Sequence, residues 1–125
     1  MGADIELLKA FFSEGGEILE RLELDLQRME NTPADDELLN SIFRSLHTIK
    51  GNSSFLSLDN ITKLSHAAEA FLDRARKKEL VISAGAFEVL QKVLDCLKKM
   101  ILDQETNLDV SALVLEIHQI TKGGS

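Results

Sequence analysis

Tryptophan and tyrosine are absent from this 125-residue chain, and proline and cysteine occur once each. A core here must therefore be aliphatic, with six phenylalanines as its only aromatic bulk. A single proline and no long internal run of glycine or serine favour continuous helices over a strand-rich fold. Lone Cys96 excludes an internal disulfide and fits a reducing compartment. It sits among Val93, Leu94 and Leu97, so a buried, inert thiol is expected. Uninterrupted apolar runs last only a few residues, and no signal peptide is visible. A soluble, cytoplasmic protein is the expectation. Bases are also scarce: the net charge of −7 argues against nucleic-acid binding and against an anionic membrane as partner.

What remains suffices for one core. Hydrophobic residues make up 44% of the chain, enough for a single domain of this length. We assign residues 1–122 to that domain and residues 123–125 to a flexible tail. Charge is unevenly spread. Residues 1–31 hold eight acids and three bases, whereas residues 44–78 hold seven bases and three acids. A basic region in an acidic protein suits steering of an acidic partner.

Five helices are predicted, at about residues 3–30, 33–56, 59–78, 83–103 and 109–121. Ile5, Leu8, Phe11, Phe12, Leu19, Leu22, Leu26 and Met29 recur at three- and four-residue steps and form the first apolar stripe. Gly15 lies in it as a close-packing point. Thr32 is read as a cap, with Pro33 opening the second helix. Asp59 or Asn60, Ser83 and Asp109 are read as the caps of the following three. Short connections between long helices imply an all-α fold: an antiparallel four-helix bundle with an additional C-terminal fifth helix.

Chemistry concentrates at Ser45–Ser54, "SLHTIKGNSS". His47 falls on the flank of the second helix's stripe, roughly 110° from its centre at 100° per residue. Gly51, one turn on, costs about 1 kcal/mol relative to alanine in a helix interior. Its bare backbone leaves room for another protein to approach the imidazole. Lys50 can place an ammonium near an anion attached to the ring. An exposed imidazole nitrogen is a competent nucleophile near neutral pH, and a carboxylate on the other nitrogen fixes its tautomer. Glu69 lies on the flank of the third helix and His66 almost opposite that helix's stripe, so Glu69 is the favoured neighbour. These residues alone leave a structural or incidental histidine open.

His47-Thr48-Ile49-Lys50-Gly51 resembles the H-x-x-K-G motif of histidine-containing phosphotransfer (HPt) domains. It most resembles the N-terminal phosphoacceptor domain of CheA-type chemotaxis histidine kinases. Ile42-Phe43-Arg44-Ser45-Leu46, Ser65-His66-Ala67-Ala68-Glu69 and Phe11-Phe12-Ser13-Glu14 are similar to the surrounding family pattern, and the likeness covers most of residues 3–103. The resemblance implies that His47 is phosphorylated at Nε2 and that Lys50 stabilises the phosphoryl group. It also implies that Glu69 hydrogen-bonds the imidazole, that His66 joins the same polar network, and that Gly51 provides clearance. His47 would take phosphate from ATP through a separate kinase catalytic domain and pass it to an aspartate of a response-regulator receiver domain. The chain shows no P-loop and no nucleotide lid, so ATP and magnesium would act only through that other domain. The chain would then be a phosphotransfer intermediate and not itself an enzyme. Ser57 stands where many members carry glycine, so the turn between the second and third helices is expected to differ.

Two other classes compete. A metal-binding bundle could use His47, His66 and Glu69, but dinuclear helical sites want E-x-x-H pairs, and here the order is H-x-x-E. A phosphorylation-independent helical interaction module would leave His47 incidental. His118 matches no motif and is read as a surface or cap residue.

Overall fold

The computed structural model describes residues 2–123, with side chains described for residues 4–122. Its helices are α1 (Gly2–Met29), α2 (Asp36–Phe55), α3 (Asp59–Arg76), α4 (Ala84–Ile101) and α5 (Ser111–Gly123). The apolar stripes of α1 to α4 face one another around a common core. Leu19, Leu22, Leu26, Ile42, Leu46, Ile49, Leu64, Phe71, Leu72 and Leu97 are almost wholly buried within it. α1 packs on α2 and α4, and α3 packs on α2 and α4. That arrangement is the antiparallel four-helix bundle. α5 lies against both α3 and α4, burying Val110 and Ile117. Lys92 of α4 pairs with Glu116 of α5 at 3.1 Å, and the Arg74 guanidinium of α3 donates to the Thr121 carbonyl.

Gly15 is a contact point, as expected. A Cβ there would lie 2.9 Å from Ile101 Cγ2, inside van der Waals contact. Ile101 is the last residue of α4, so the opening turns of α1 run past the end of that neighbour. Ile5, expected to be core, is therefore exposed.

The second helix begins later than expected. Asp35 is its N-cap, its carboxylate accepting the Leu38 N–H at 3.0 Å. Thr32 instead closes α1, donating its hydroxyl to the Arg28 carbonyl, and Pro33 lies in the turn between them. Asp59 is the first residue of α3, not its cap. Leu58 holds the cap position without a side-chain bond, and Asp59 places a negative charge in the positive first turn. Ser83 caps α4, accepting from Ala86 N–H. Asp109 accepts from both the N–H and the hydroxyl of Ser111, where α5 opens. Gly123, expected in a tail, ends α5, and Gly124 and Ser125 lie outside the described residues.

The α2–α3 turn decides what α3 can offer to His47. Leu58 N–H donates to the Ser53 carbonyl at 2.9 Å and Ser57 N–H to Ser54 at 3.1 Å, the paired bonds of a Schellman motif. Ser57 takes the left-handed conformation that glycine usually fills there, at φ 60°. The expected difference at this turn is thus confined to strain at one residue. Fully buried Ser53 and half-buried Thr62 join their hydroxyls at 2.8 Å across the corner. Left-handed backbone costs an L-residue roughly 1–2 kcal/mol, partly offset by glycine's greater freedom when unfolded. Ser57→Gly should accordingly stabilise the fold by about 0.5–1 kcal/mol. Chemical denaturation checks this, and an unchanged or lower midpoint counts against the strain.

Candidate functional site

The antiparallel α2–α3 pair brings His47 and Glu69 together. The Nδ1–H of His47 donates to Glu69 Oε2, and Lys50 Nζ donates to Glu69 Oε1 at 2.7 Å. The carboxylate is nearly buried, with 9% of its side chain exposed, whereas the His47 side chain is 61% exposed. One oxygen thus holds the ring and the other holds the ammonium. The ring's free nitrogen, Nε2, is left on the exposed side.

Burial of Glu69 works to raise its pKa. Hydrogen bonds from Lys50 and His47, with the charges of both, outweigh that effect and leave it below the usual glutamate value. An ionised Glu69 accepts from Nδ1–H, so in the neutral form of the ring the in-plane lone pair lies on Nε2. The depressed carboxyl also ties this cluster to acid stability. Its contribution is complete above the unfolded glutamate pKa, about 4.3, and is lost as pH falls through the lower folded value.

Gly51 lies one turn beyond His47 on the exposed surface of α2. A Cβ built there meets nothing within 4 Å. The protein's own packing therefore does not require glycine at this position, and the open space lies beside the imidazole. One turn the other way, Phe43 stacks on the His47 ring, with centroids 6.0 Å apart and planes 12° apart. The Arg76 guanidinium of α3 sits 3.8 Å from the Phe43 centroid. Sequence reasoning gave neither residue a part in the site. The four-residue spacing of Phe43 and His47 carried the first half of that signal.

One expectation about the site needs correction. His66 does not join the polar network: among the described residues, the cluster's hydrogen bonds run between His47, Lys50 and Glu69. His66 is exposed and lines a cleft between α3 and α5 with His118, Val110 and Val114. It precedes Glu69 by three residues, which turns it toward α5 and away from α2. That separation also breaks up the proposed metal-ligand set of His47, His66 and Glu69. Lys50, expected to stabilise a phosphoryl group, pairs with the Glu69 carboxylate in the unphosphorylated site. Cys96 is half-buried beside Met100, and burial pushes its thiol pKa up against the pull of Lys99. Among the described residues, no helix is long and apolar enough to cross a membrane.

Comparison with known proteins shows the family. The Hpt domain family model matches residues 6–104. The sensor histidine kinase CheAY of Helicobacter pylori is 43% identical over 96 residues, which are 77% of this chain and 12% of that protein. The chemotaxis protein CheA of Treponema pallidum is 32% identical over the same shares of each. The chain thus spans about an eighth of the length of these relatives. Among solved structures, the CheA phosphotransferase domain from Thermotoga maritima aligns with a TM-score of 0.74 and 34% identity, covering 78% of this chain and 93% of that one. The phosphorylated P1 domain of CheA3 from R. sphaeroides, solved in complex with CheY6, shares the fold at a TM-score of 0.85 and 21% identity, covering 96% and 98%. On the family match and these relatives, the chain belongs to the Hpt domain family.

Proposed function

We propose that residues 1–122 form one phosphotransfer module in which His47 is the phosphoacceptor. The observation that carries this reading is an exposed imidazole whose Nδ1–H is held by a nearly buried carboxylate, leaving Nε2 free. The Nε2 lone pair attacks the γ-phosphorus of ATP held by a separate kinase catalytic domain. The N–P bond forms, the bridging O–P bond breaks and ADP leaves. Nδ1 keeps its proton throughout, and Glu69 balances the positive charge that develops on the ring. An aspartate of a receiver domain then attacks the same phosphorus. The N–P bond breaks and the electron pair returns to Nε2. Positioning and charge stabilisation are much of what a protein contributes to such transfers.

Lys50 serves this scheme in two ways. It pins Glu69 before transfer, and its ammonium, held on the same carboxylate as the ring, stabilises an attached phosphoryl group. The basic region at residues 44–78 steers the acidic receiver site toward His47. ATP and magnesium belong to the kinase domain, so the module is an intermediate carrier and not an enzyme. The names of its relatives, a sensor histidine kinase and a chemotaxis protein, support a place in chemotaxis-type two-component signalling; a cytoplasmic location is part of the same proposal.

The test is intact-mass analysis after incubation with ATP, magnesium and a CheA-type kinase core. One acid-labile, base-stable phosphoryl group, discharged on adding a receiver domain, is expected. A folded protein that takes up none across several kinase cores would move the assignment to an interaction module. Glu69→Ala should slow uptake by between about tenfold and hundredfold without ending it, the usual cost of removing a histidine's orienting partner. The same variant should lose the part of acid destabilisation that belongs to this carboxyl. Stopped-time phosphorylation assays and acid titration of stability read the two effects, and an unaltered rate means that Glu69 does not act on the ring.

A further inference from the structure

The Glu69 bond restrains the His47 ring at one atom. One hydrogen bond does not hold both side-chain torsions, so an imidazole that is 61% exposed can still tilt by coupled rotation about its Cα–Cβ and Cβ–Cγ bonds. Attack requires more than proximity. The Nε2 lone pair lies in the ring plane, so the orientation of that plane sets the direction in which a phosphorus can be met in line. A second constraint is needed, and it has to act on the face of the ring.

Phe43 supplies that face. Its centroid separation of 6.0 Å and interplanar angle of 12° describe an offset stack, one of the two favoured arrangements of aromatic pairs. Phe43 is itself only half-buried, so it too needs holding. Its ring lies under the Arg76 guanidinium, whose Cζ is 3.8 Å from the centroid. Arg76 is tied in turn from both helices: its Nε donates to Asp73 Oδ1 at 2.9 Å, and its Nη1 to Asn40 Oδ1 at 3.4 Å. Asn40 lies one turn before Phe43 on α2. The arginine therefore bridges the end of α3 to the helix that carries the reactive histidine.

We propose that Phe43 and Arg76 are positioning residues for phosphoryl transfer, a cation-backed aromatic brace that sets the plane of the His47 ring while Glu69 sets its tautomer. The inference rests on the phosphoacceptor reading of His47 and deepens it. Neither residue touches the transferred group. Phe43 acts through the imidazole and Arg76 acts through Phe43. A planar guanidinium suits the second role, because it can lie flat on a ring while its edge donates to Asp73 and Asn40.

The test compares the wild type with Phe43→Leu, Arg76→Gln and Arg76→Lys. Leucine keeps apolar bulk at the half-buried site, and circular dichroism checks that each variant is folded. Uptake is measured from two donors: phosphoramidate, which is too small to need a docking surface, and ATP with a CheA-type kinase core. Phe43→Leu should slow uptake about tenfold from both donors, a modest loss beside what misplaced reacting groups can cost, with KM for the kinase core unchanged. Arg76→Gln should act in the same direction by a smaller factor, and Arg76→Lys should recover part of it. In the unphosphorylated protein, the ring-current shift of the His47 ring protons should shrink in both Phe43→Leu and Arg76→Gln. Undiminished phosphoramidate uptake in Phe43→Leu, beside an active wild type, overturns the brace alone. Loss with the kinase core only assigns Phe43 to partner contact and also overturns it. A wild type that accepts phosphate from neither donor overturns the phosphoacceptor reading, and the brace with it.

Discussion

His47→Gln is expected to abolish phosphoryl uptake while leaving the bundle intact. Glutamine removes the only atom in the proposed mechanism that bonds phosphorus, and its amide nitrogen has no available lone pair to replace Nε2. The fold loses little. His47 is mostly exposed, glutamine is the better helix former, and surface substitutions of this kind usually change stability by under about 0.5 kcal/mol. The side-chain amide can also donate to Glu69, so the buried carboxylate keeps a partner. His66 and His118 remain in the variant, together in the α3–α5 cleft. Intact mass therefore decides between the three histidines: a phosphoryl group that persists on the variant places the chemistry elsewhere and removes the site assignment.

The second large effect separates stability from transfer. Gly51→Leu should make the isolated protein more stable by up to about 1 kcal/mol, because leucine replaces glycine inside a helix where nothing stands within 4 Å of the new Cβ. The same substitution should slow discharge to a receiver domain by about a hundredfold, as expected when reacting groups are held off by an ångström or more. The two outcomes test one statement, that the reason for glycine lies outside this chain. A less stable variant would mean that the helix itself needs glycine. Unchanged discharge kinetics from a phosphorylated, folded variant would mean that no partner approaches along this side of the imidazole.

Much of this architecture was legible in the amino-acid order. Apolar residues at three- and four-residue steps define α1 to α4, because each helix must bury one stripe and expose the rest. The stripe does not reveal how far a neighbour extends, so Ile5 could not be told from a core residue until α4 was seen to end at Ile101. Helix starts were less certain for a similar reason. Thr32-Pro33 and Asp35 both carry start signals, and only backbone geometry shows which oxygen reaches an unpaired N–H. At the site, the position of Glu69 on its helix wheel pointed to His47 correctly. The wheel also turned His66 away, where the family resemblance drew it in, and the structure follows the wheel. Lys50's pairing with Glu69 and Arg76's seat on Phe43 depend on how far α3 slides along α2. No single helix carries that register.

The α2–α3 corner has a consequence for how the site comes into being. Phe43, His47, Lys50, Glu69 and Arg76 all lie on the two helices joined by the Ser57 turn, and the widest gap between contacting members is the 33 positions from Phe43 to Arg76. Closing so short a loop costs little entropy, and contacts of short range are the kind that let a helical domain fold quickly. The proposed site is therefore encoded in one helical hairpin, and α1, α4 and α5 supply the platform that keeps it folded. Outward-facing positions on those three helices are free to diverge without disturbing the proposed phosphoacceptor.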